Sequence, residues 1–268
     1  MIKLVASRLE GLLMNDQGQI DRSALQTRLS EMQKHGTQLV LISRESYPYL
    51  LAKFQHVSGP LNYVAENGAE TVVNGVNVHE KMLGAVILSE ILQWLSEKSD
   101  FARTTVTLSS RLNTITNAVP GSHLASHLKQ LYPTVTWAPD LMMVASQIYQ
   151  IRIDVPTKGT RMYEDLVHRK FGTQVKIVAG GPSYFYVTAP EVNLGKSLAV
   201  VQEQLKVRNR QTAAFGRTMA DFNYLNAAKY GYTVTDASST VQAIATPLSG
   251  TDYSEAVFKQ IDRLMKKP

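Results

Sequence analysis

The chain has 268 residues, 44% hydrophobic and 19% charged, the composition of a globular protein with one large domain or two smaller ones. It contains no cysteine, which excludes disulfides and thiolate metal sites, and no apolar run approaches the roughly 20 residues that a membrane-spanning helix needs. The formal net charge of +6 is scattered, and its densest cluster, Lys206-Val207-Arg208-Asn209-Arg210, reads as a solvated surface rather than a nucleic-acid face.

Residues 3–7 are a short apolar run suited to a buried strand. The N-terminus lacks the apolar core and small-residue cleavage site of a signal peptide, so the expected location is the cytoplasm. Asp21 or Ser23 can cap a helix whose Leu25, Leu29 and Met32 fall at helical spacing and which Gly36 ends. Residues 38–42 predict a second strand, 46–54 a helix and 61–64 a third strand. Strands separated by helices of this length imply a parallel sheet covered on both faces.

The middle of the chain changes character. Residues 84–95 predict an apolar helix carrying Trp94, and 104–108 and 149–155 alternate like strands. Residues 161–171 predict a helix closed by Gly172. The runs 175–178 and 184–188 flank Gly180-Gly181-Pro182-Ser183, a hairpin signal. This set predicts an α+β module with an antiparallel sheet. The last part returns to the first style, with a helix over 195–205, a strand over 212–215 ending at Gly216, and a helix over 221–230 closed by Gly231. A strand over 232–235 and a terminal helix over 253–266 complete it.

Five segments stand in order along this pattern. Arg8-Leu9-Glu10-Gly11-Leu12 follows the first strand, and Leu41-Ile42-Ser43-Arg44-Glu45-Ser46-Tyr47 follows the second. Asn67-Gly68-Ala69, then Val192-Asn193-Leu194-Gly195-Lys196-Ser197, then Phe215-Gly216-Arg217-Thr218-Met219-Ala220-Asp221 come after, with residues 231–238 behind them. Together they resemble the Cof-type (subclass IIB) branch of the haloacid dehalogenase (HAD) superfamily of phosphatases. The resemblance covers nearly the whole chain. It implies an α/β, doubly wound parallel-sheet core over residues 1–82 and 190–268, with an inserted α+β cap domain over 83–189.

The resemblance also implies a reaction. In the family pattern Asp-x-Asp-Gly-Thr, the first Asp attacks phosphorus and the second is the general acid and base. A magnesium ion bound by that nucleophile and a fourth-motif Asp neutralises the phosphate, while a Ser or Thr and a Lys hold its other oxygens. Here the nucleophile position is Arg8, the acid/base position is Glu10 and the Thr position is Leu12. Arg217 stands at a metal-ligand position, Ala220 replaces an Asn, and Asp221 alone survives as a metal carboxylate. Ser43 and Lys196 match the phosphate-holding positions. Arg44 replaces a Gly, Glu45 replaces an Arg, and Asp236 stands for a closing Asn.

Guanidinium groups offer only donors and cannot attack phosphorus or ligate a hard cation. Two arrangements follow from the residues. Arg8 and Arg217, with Ser43 and Lys196, make a metal-free anion site. Alternatively, Arg8 and Arg217 pair with Glu10 and Asp221 and close the pocket with salt bridges. The leading expectation is a catalytically degenerate homologue, without cofactor, that binds a small phosphorylated or anionic ligand. The alternatives are a working magnesium-dependent phosphatase on sugar phosphates, with Glu10 or Asp221 as substitute nucleophile, and a structural or regulatory protein with a sealed pocket. No nucleic-acid or membrane partner is expected, and the chain is expected to be a monomer or homodimer.

Other candidates read more simply. His123 and His127 lie at i, i+4 on a predicted helix, the spacing of a zinc pair, but Leu124 follows His123 where His-Glu-x-x-His would place its base, so surface histidines are expected. Tyr184 and Tyr186 alternate with Phe185 as packing in a strand. Trp94 is expected in the cap core, and Gly180-Gly181 is a turn, since no helix start follows it.

Overall fold

Five residues with no side chain facing water open the fold: β1 (Leu4–Arg8) is buried along its whole length. The computed structural model describes residues 1–15, 17–111, 113–143 and 146–266. The chain divides into two compact units, Met1–Glu80 with Asn193–Pro268, and Lys81–Val192.

After β1 comes α1 (Arg22–Lys34), where the Asp21 carboxylate accepts the Ala24 N–H and the buried stripe is Leu25, Leu29 and Met32. Then come β2 (Gln38–Ile42), α2 (Tyr47–Phe54), which Ser46 caps, and β3 (Leu61–Ala65). A hairpin of β4 (Glu70–Val73) and β5 (Val76–Glu80) follows. Its two turn residues, Asn74 and Gly75, both hold positive φ (51° and 77°), as a two-residue primed turn requires. The sequence expectations did not include this hairpin, although Asn-Gly between apolar residues signals it.

The second unit runs α3 (Ala85–Glu97), β6 (Thr105–Ser110), β7 (Thr114–Thr116), α4 (His123–Leu131), β8 (Val135–Trp137) and β9 (Ile148–Asp154). It ends with α5 (Arg161–Phe171), β10 (Lys176–Gly181) and β11 (Tyr184–Thr188). The chain then returns to the first unit through α6 (Leu194–Gln204), β12 (Thr212–Phe215), α7 (Phe222–Asn226), β13 (Tyr230–Val234), α8 (Ser239–Gln242), β14 (Thr246–Leu248) and α9 (Tyr253–Met265). The expected helix over 221–230 is thus shorter. Ala213 pairs with Tyr230 and Ala214 with Gly231, so the sheet recruits Tyr230 and Gly231, and the glycine read as a helix stop lies inside a strand.

The first unit holds an eight-stranded sheet in the order β14-β13-β12-β1-β2-β3-β4-β5. Pairing is parallel from β14 through β3 and antiparallel across β3, β4 and β5. Helix α1 packs with α9 and α6 with α7. This is the α/β architecture with the central strands in a parallel run. Its register sets the later chemistry. Ser7 pairs with Phe215 and Arg8 with Ile42, so Arg8, Ser43 and Arg217 all emerge at the carboxyl edge of neighbouring strands. In open α/β sheets that edge is where ligands bind.

The second unit holds a six-stranded sheet in the order β10-β11-β9-β6-β7-β8, antiparallel except for β7 with β8. Leu108, Ile151, Ile153, Phe185 and Val187 share one core with residues of α3 and α5. Trp94 lies against Phe101 and Phe171, with ring centroids 5.1 and 5.4 Å apart. Alternate positions of β9 carry a buried polar row, Gln150, Arg152 and Asp154. The Arg152 guanidinium donates two parallel hydrogen bonds to Asp154, of 2.9 and 2.8 Å, and stacks 3.9 Å from the Tyr184 ring centroid. Gly180 and Gly181 are required by this packing, since a Cβ on either would stand 2.4 or 2.6 Å from the Tyr184 ring. His123 and His127 are exposed on α4, and among the described residues no group of three or more metal-ligating side chains forms. No helix among the described residues is long and apolar enough to cross a membrane.

The Arg152 pair yields a stability prediction. Removing one partner of a buried ion pair leaves the other uncompensated, so Arg152→Ala is expected to cost about 3–5 kcal/mol in urea unfolding. Replacing both partners, as Arg152→Met with Asp154→Leu, should recover most of that loss. A single Arg152→Ala variant as stable as wild type would remove the pair from any structural role.

Candidate active site

At the carboxyl edge of the first sheet, Arg8, Glu10 and Arg217 each meet a partner from a segment that follows a neighbouring strand. Arg8, the last residue of β1, is buried, and its Nε lies 3.1 Å from Asp221 Oδ1. Burial alone would lower the tendency of this guanidinium to hold its proton, but the charges of Asp221 and then Glu10 outweigh it and push its pKa up. Its Nη1 is buried without a hydrogen-bond acceptor.

Asp221 is held by the turn that precedes α7. Its Oδ2 accepts the backbone N–H groups of Arg217 and Thr218, both at 2.9 Å, and the Thr218 hydroxyl at 3.1 Å. This saturates one carboxylate oxygen and fixes the other toward Arg8. Beneath them the Tyr224 hydroxyl donates to the Phe215 carbonyl, and burial followed by the Asp221 charge pushes its pKa well up, so it stays a neutral donor. Gly216 admits this arrangement. A Cβ there would stand 2.7 Å from Asp221 Cβ and 2.8 Å from the Tyr224 hydroxyl.

Glu10 turns the other way. Its Oε1 accepts a very short hydrogen bond from the Ser43 hydroxyl, which itself accepts the Glu45 N–H at 3.0 Å. Ser43 is wholly buried, so its hydroxyl proton is committed to Glu10. Arg217 stands apart from this cluster. Its Nη2 contacts Asp236 at 2.5 Å, and its guanidinium lies 5.0 Å from the Tyr253 ring centroid. It lines a cleft of about 770 Å³ between residues 11–15 and 19–21 and the start of α9. Burial is the largest single effect on Asp236 and raises its pKa, but the hydrogen bonds from Arg217 and Tyr253 and the Arg217 charge together outweigh it and hold the carboxyl below its usual range. Lys196 is exposed on the first turn of α6, where the Asn193 side chain caps the helix.

The sequence-derived residues therefore separate. Arg8, Glu10, Ser43 and Asp221 come together, Arg217 faces another cleft, and Lys196 sits exposed on α6. Of the salt bridges expected in a closed pocket, Arg8 takes Asp221, whereas Arg217 takes Asp236 rather than Glu10 or Asp221, and Glu10 takes Ser43. The sequence analysis named Asp236 only as a substitution and missed Thr218, Tyr224 and Tyr253. The signal for the second pair was available. Phe215 pairs with Tyr232, so Arg217 and Asp236 both lie just past the ends of adjacent strands.

Magnesium requires oxygen ligands in near-octahedral array. Arg8 presents N–H donors where one of those oxygens would stand, Arg217 turns away to Asp236, and Asp221 has one oxygen saturated by three donors and the other facing a guanidinium. The residues at this position do not fit the ion.

Comparison with known proteins places these observations. The pattern of the family described as haloacid dehalogenase-like hydrolase matches residues 5–261. The chain is 19% identical over 265 residues to the Escherichia coli 5-amino-6-(5-phospho-D-ribitylamino)uracil phosphatase YbjI, covering 99% of this chain and 97% of that protein. Its fold is similar to that of SMU.1108c from Streptococcus mutans, with a TM-score of 0.87, 20% identity and full coverage of both chains. It is also similar to the HAD subclass IIB sugar phosphatase BT4131, with a TM-score of 0.79, 14% identity, and coverage of 97% of this chain and 98% of that one.

Two predictions follow from this geometry. Gly216→Ala should destabilise the first unit by about 2–3 kcal/mol, because the added methyl overpacks Asp221 and Tyr224; urea unfolding checks it. Asp236 has a depressed carboxyl pKa in the folded state. It therefore adds stability above its unfolded pKa, and that stability is lost as pH falls through the folded value. Melting temperatures of wild type and Asp236→Asn should differ at neutral pH and converge in acid, once the carboxyl is protonated in both folded and unfolded chains. A gap independent of pH would show that Arg217 gains nothing from the carboxylate charge.

Proposed function

The chain belongs to the haloacid dehalogenase-like hydrolases, and from that premise we propose that it is a catalytically degenerate member whose former phosphate pocket is closed by internal ion pairs. The observation that carries this reading is the contact of Arg8 with Asp221, in which the nucleophile position neutralises the surviving metal carboxylate. An arginine supplies no lone pair for attack on phosphorus. Neither remaining carboxylate is placed to substitute. Glu10 is engaged by Ser43, and Asp221 by three donors and a guanidinium. The same contacts count against the small phosphorylated or anionic ligand, because Ser43 donates to Glu10 and the cations at the pocket face carboxylates. The second unit then remains as the family's cap, and the protein acts through its folded surface as a structural or regulatory partner, without magnesium.

One observation favours an anion at the same place: Arg8 Nη1 is a buried donor with no acceptor. An anion that displaced Asp221 from Arg8 would satisfy it. Titration with inorganic phosphate distinguishes the two readings, since a closed pocket gives no saturable heat or chemical-shift change.

The central test is hydrolysis of a generic phosphomonoester and of the E. coli relative's uracil phosphate substrate, with magnesium and with chelator. A Lys196→Ala preparation controls for contaminating phosphatase. Rates indistinguishable from that control are expected. Magnesium-dependent turnover that Lys196→Ala abolishes would sink the proposal and turn attention to Glu10 as nucleophile.

A further inference from the structure

We infer that Arg8 is a tethered cation, a covalently attached substitute for the divalent ion that the surrounding residues no longer fit, and that the folded pocket depends on its charge. This rests on reading the pocket as metal-free. Arg8 lies with two carboxylates, Glu10 and Asp221, whose charges both raise its pKa against the effect of burial. Arg44 and Lys53 also act on this cluster, but the ion pair with Asp221 is made by Arg8, and removing its guanidinium takes away that counter-charge.

The geometry indicates that charge, rather than hydrogen bonding, holds Arg8 in place. The Arg152 guanidinium, in the same molecule, uses two N–H groups in parallel on Asp154 and stacks on Tyr184. That is the directional pairing for which arginine is suited. Arg8 instead brings Nε to one oxygen of Asp221 and leaves Nη1 buried without an acceptor. Arg8 thus meets Asp221 by proximity of charge rather than by a directional two-bond fork. Asp221 is also set before Arg8 reaches it, since Arg217 and Thr218 anchor Oδ2. The carboxylate is a preformed cation receptor, and the cation is supplied by the chain.

A receptor of this kind accepts a free cation once the tethered one is removed. In the full-length chain, Arg8→Ala should melt about 10 °C below wild type, as expected when a buried pair loses one partner. Millimolar ethylguanidinium or magnesium chloride, each against sodium chloride of equal ionic strength, should restore at least half of that loss in Arg8→Ala and leave wild type unchanged. Failure of both cations to restore Arg8→Ala, or an equal response of wild type, overturns the assignment. Where Arg8→Ala yields no folded protein, Arg8→Lys and Arg8→Met decide: the lysine variant should melt well above the methionine variant, and equal melting temperatures overturn it. Hydrolysis assays on the same wild-type sample separate the two claims. Turnover there removes the metal-free reading, whereas absence of both turnover and rescue removes the tethered cation alone.

Discussion

A guanidinium at the buried end of a central strand must be matched by a negative charge within a few ångströms, because the cost of burying it alone exceeds what the surrounding apolar packing can offset. Arg8 meets that requirement through Asp221, and the requirement organises the carboxyl edge of the first sheet. Asp221 can serve only because the turn at residues 217–221 holds its other oxygen. That turn can form only because Gly216 leaves room for Tyr224 and Asp221 against the end of β12. Arg8 and the residues that hold the turn after β12 are therefore parts of one arrangement.

The remaining departures from the family pattern follow the same logic. Lengthening the acid/base position to Glu10 carries its carboxylate to Ser43, which takes up the hydroxyl that would otherwise meet a phosphate oxygen. Arg217 and Asp236 replace two residues of the pattern by a mutually neutralising pair on adjacent strand ends. Arg8 and Arg217 each have an anion beside them. An estimate of pocket charge from substituted positions alone gives a cationic site, whereas the pairing leaves no cation of the buried cluster unmatched.

Much of the fold was legible because burial on both faces of a parallel sheet writes itself as unbroken apolar runs. Residues 3–7 and 38–42 are of this kind, and β1 and β2 stand there. The helix over 221–230 was not, because an apparent helix with a terminal glycine cannot be told from a short helix and a strand until β12 claims Tyr230 and Gly231 as partners. The β4 and β5 hairpin was legible in Asn74-Gly75 and went unread, since its strands are too short to show a period. In the site, the identities of Arg8, Glu10, Ser43 and Asp221 came from motif order, but who faces whom did not. Arg8 and Asp221 meet only through the parallel register of Ser7 with Phe215, a tertiary fact. Once that register is known, Arg217 and Asp236 become neighbours by counting from the strand ends.

Fold membership and chemistry rest on different residues in this molecule. The haloacid dehalogenase-like core needs parallel strands, a glycine at the end of β12 and an acid that closes the following turn, and all three are present. The family's chemistry needs, in addition, two carboxylate oxygens facing a cation at the same strand ends, and there the chain presents a guanidinium instead. A carboxylate at position 8 would share the buried edge with Glu10 and Asp221 and require a bound cation. An arginine needs none. On the reading proposed above, the substitution exchanges a site whose stability depends on a diffusible ion for one whose counter-charge is encoded in the chain.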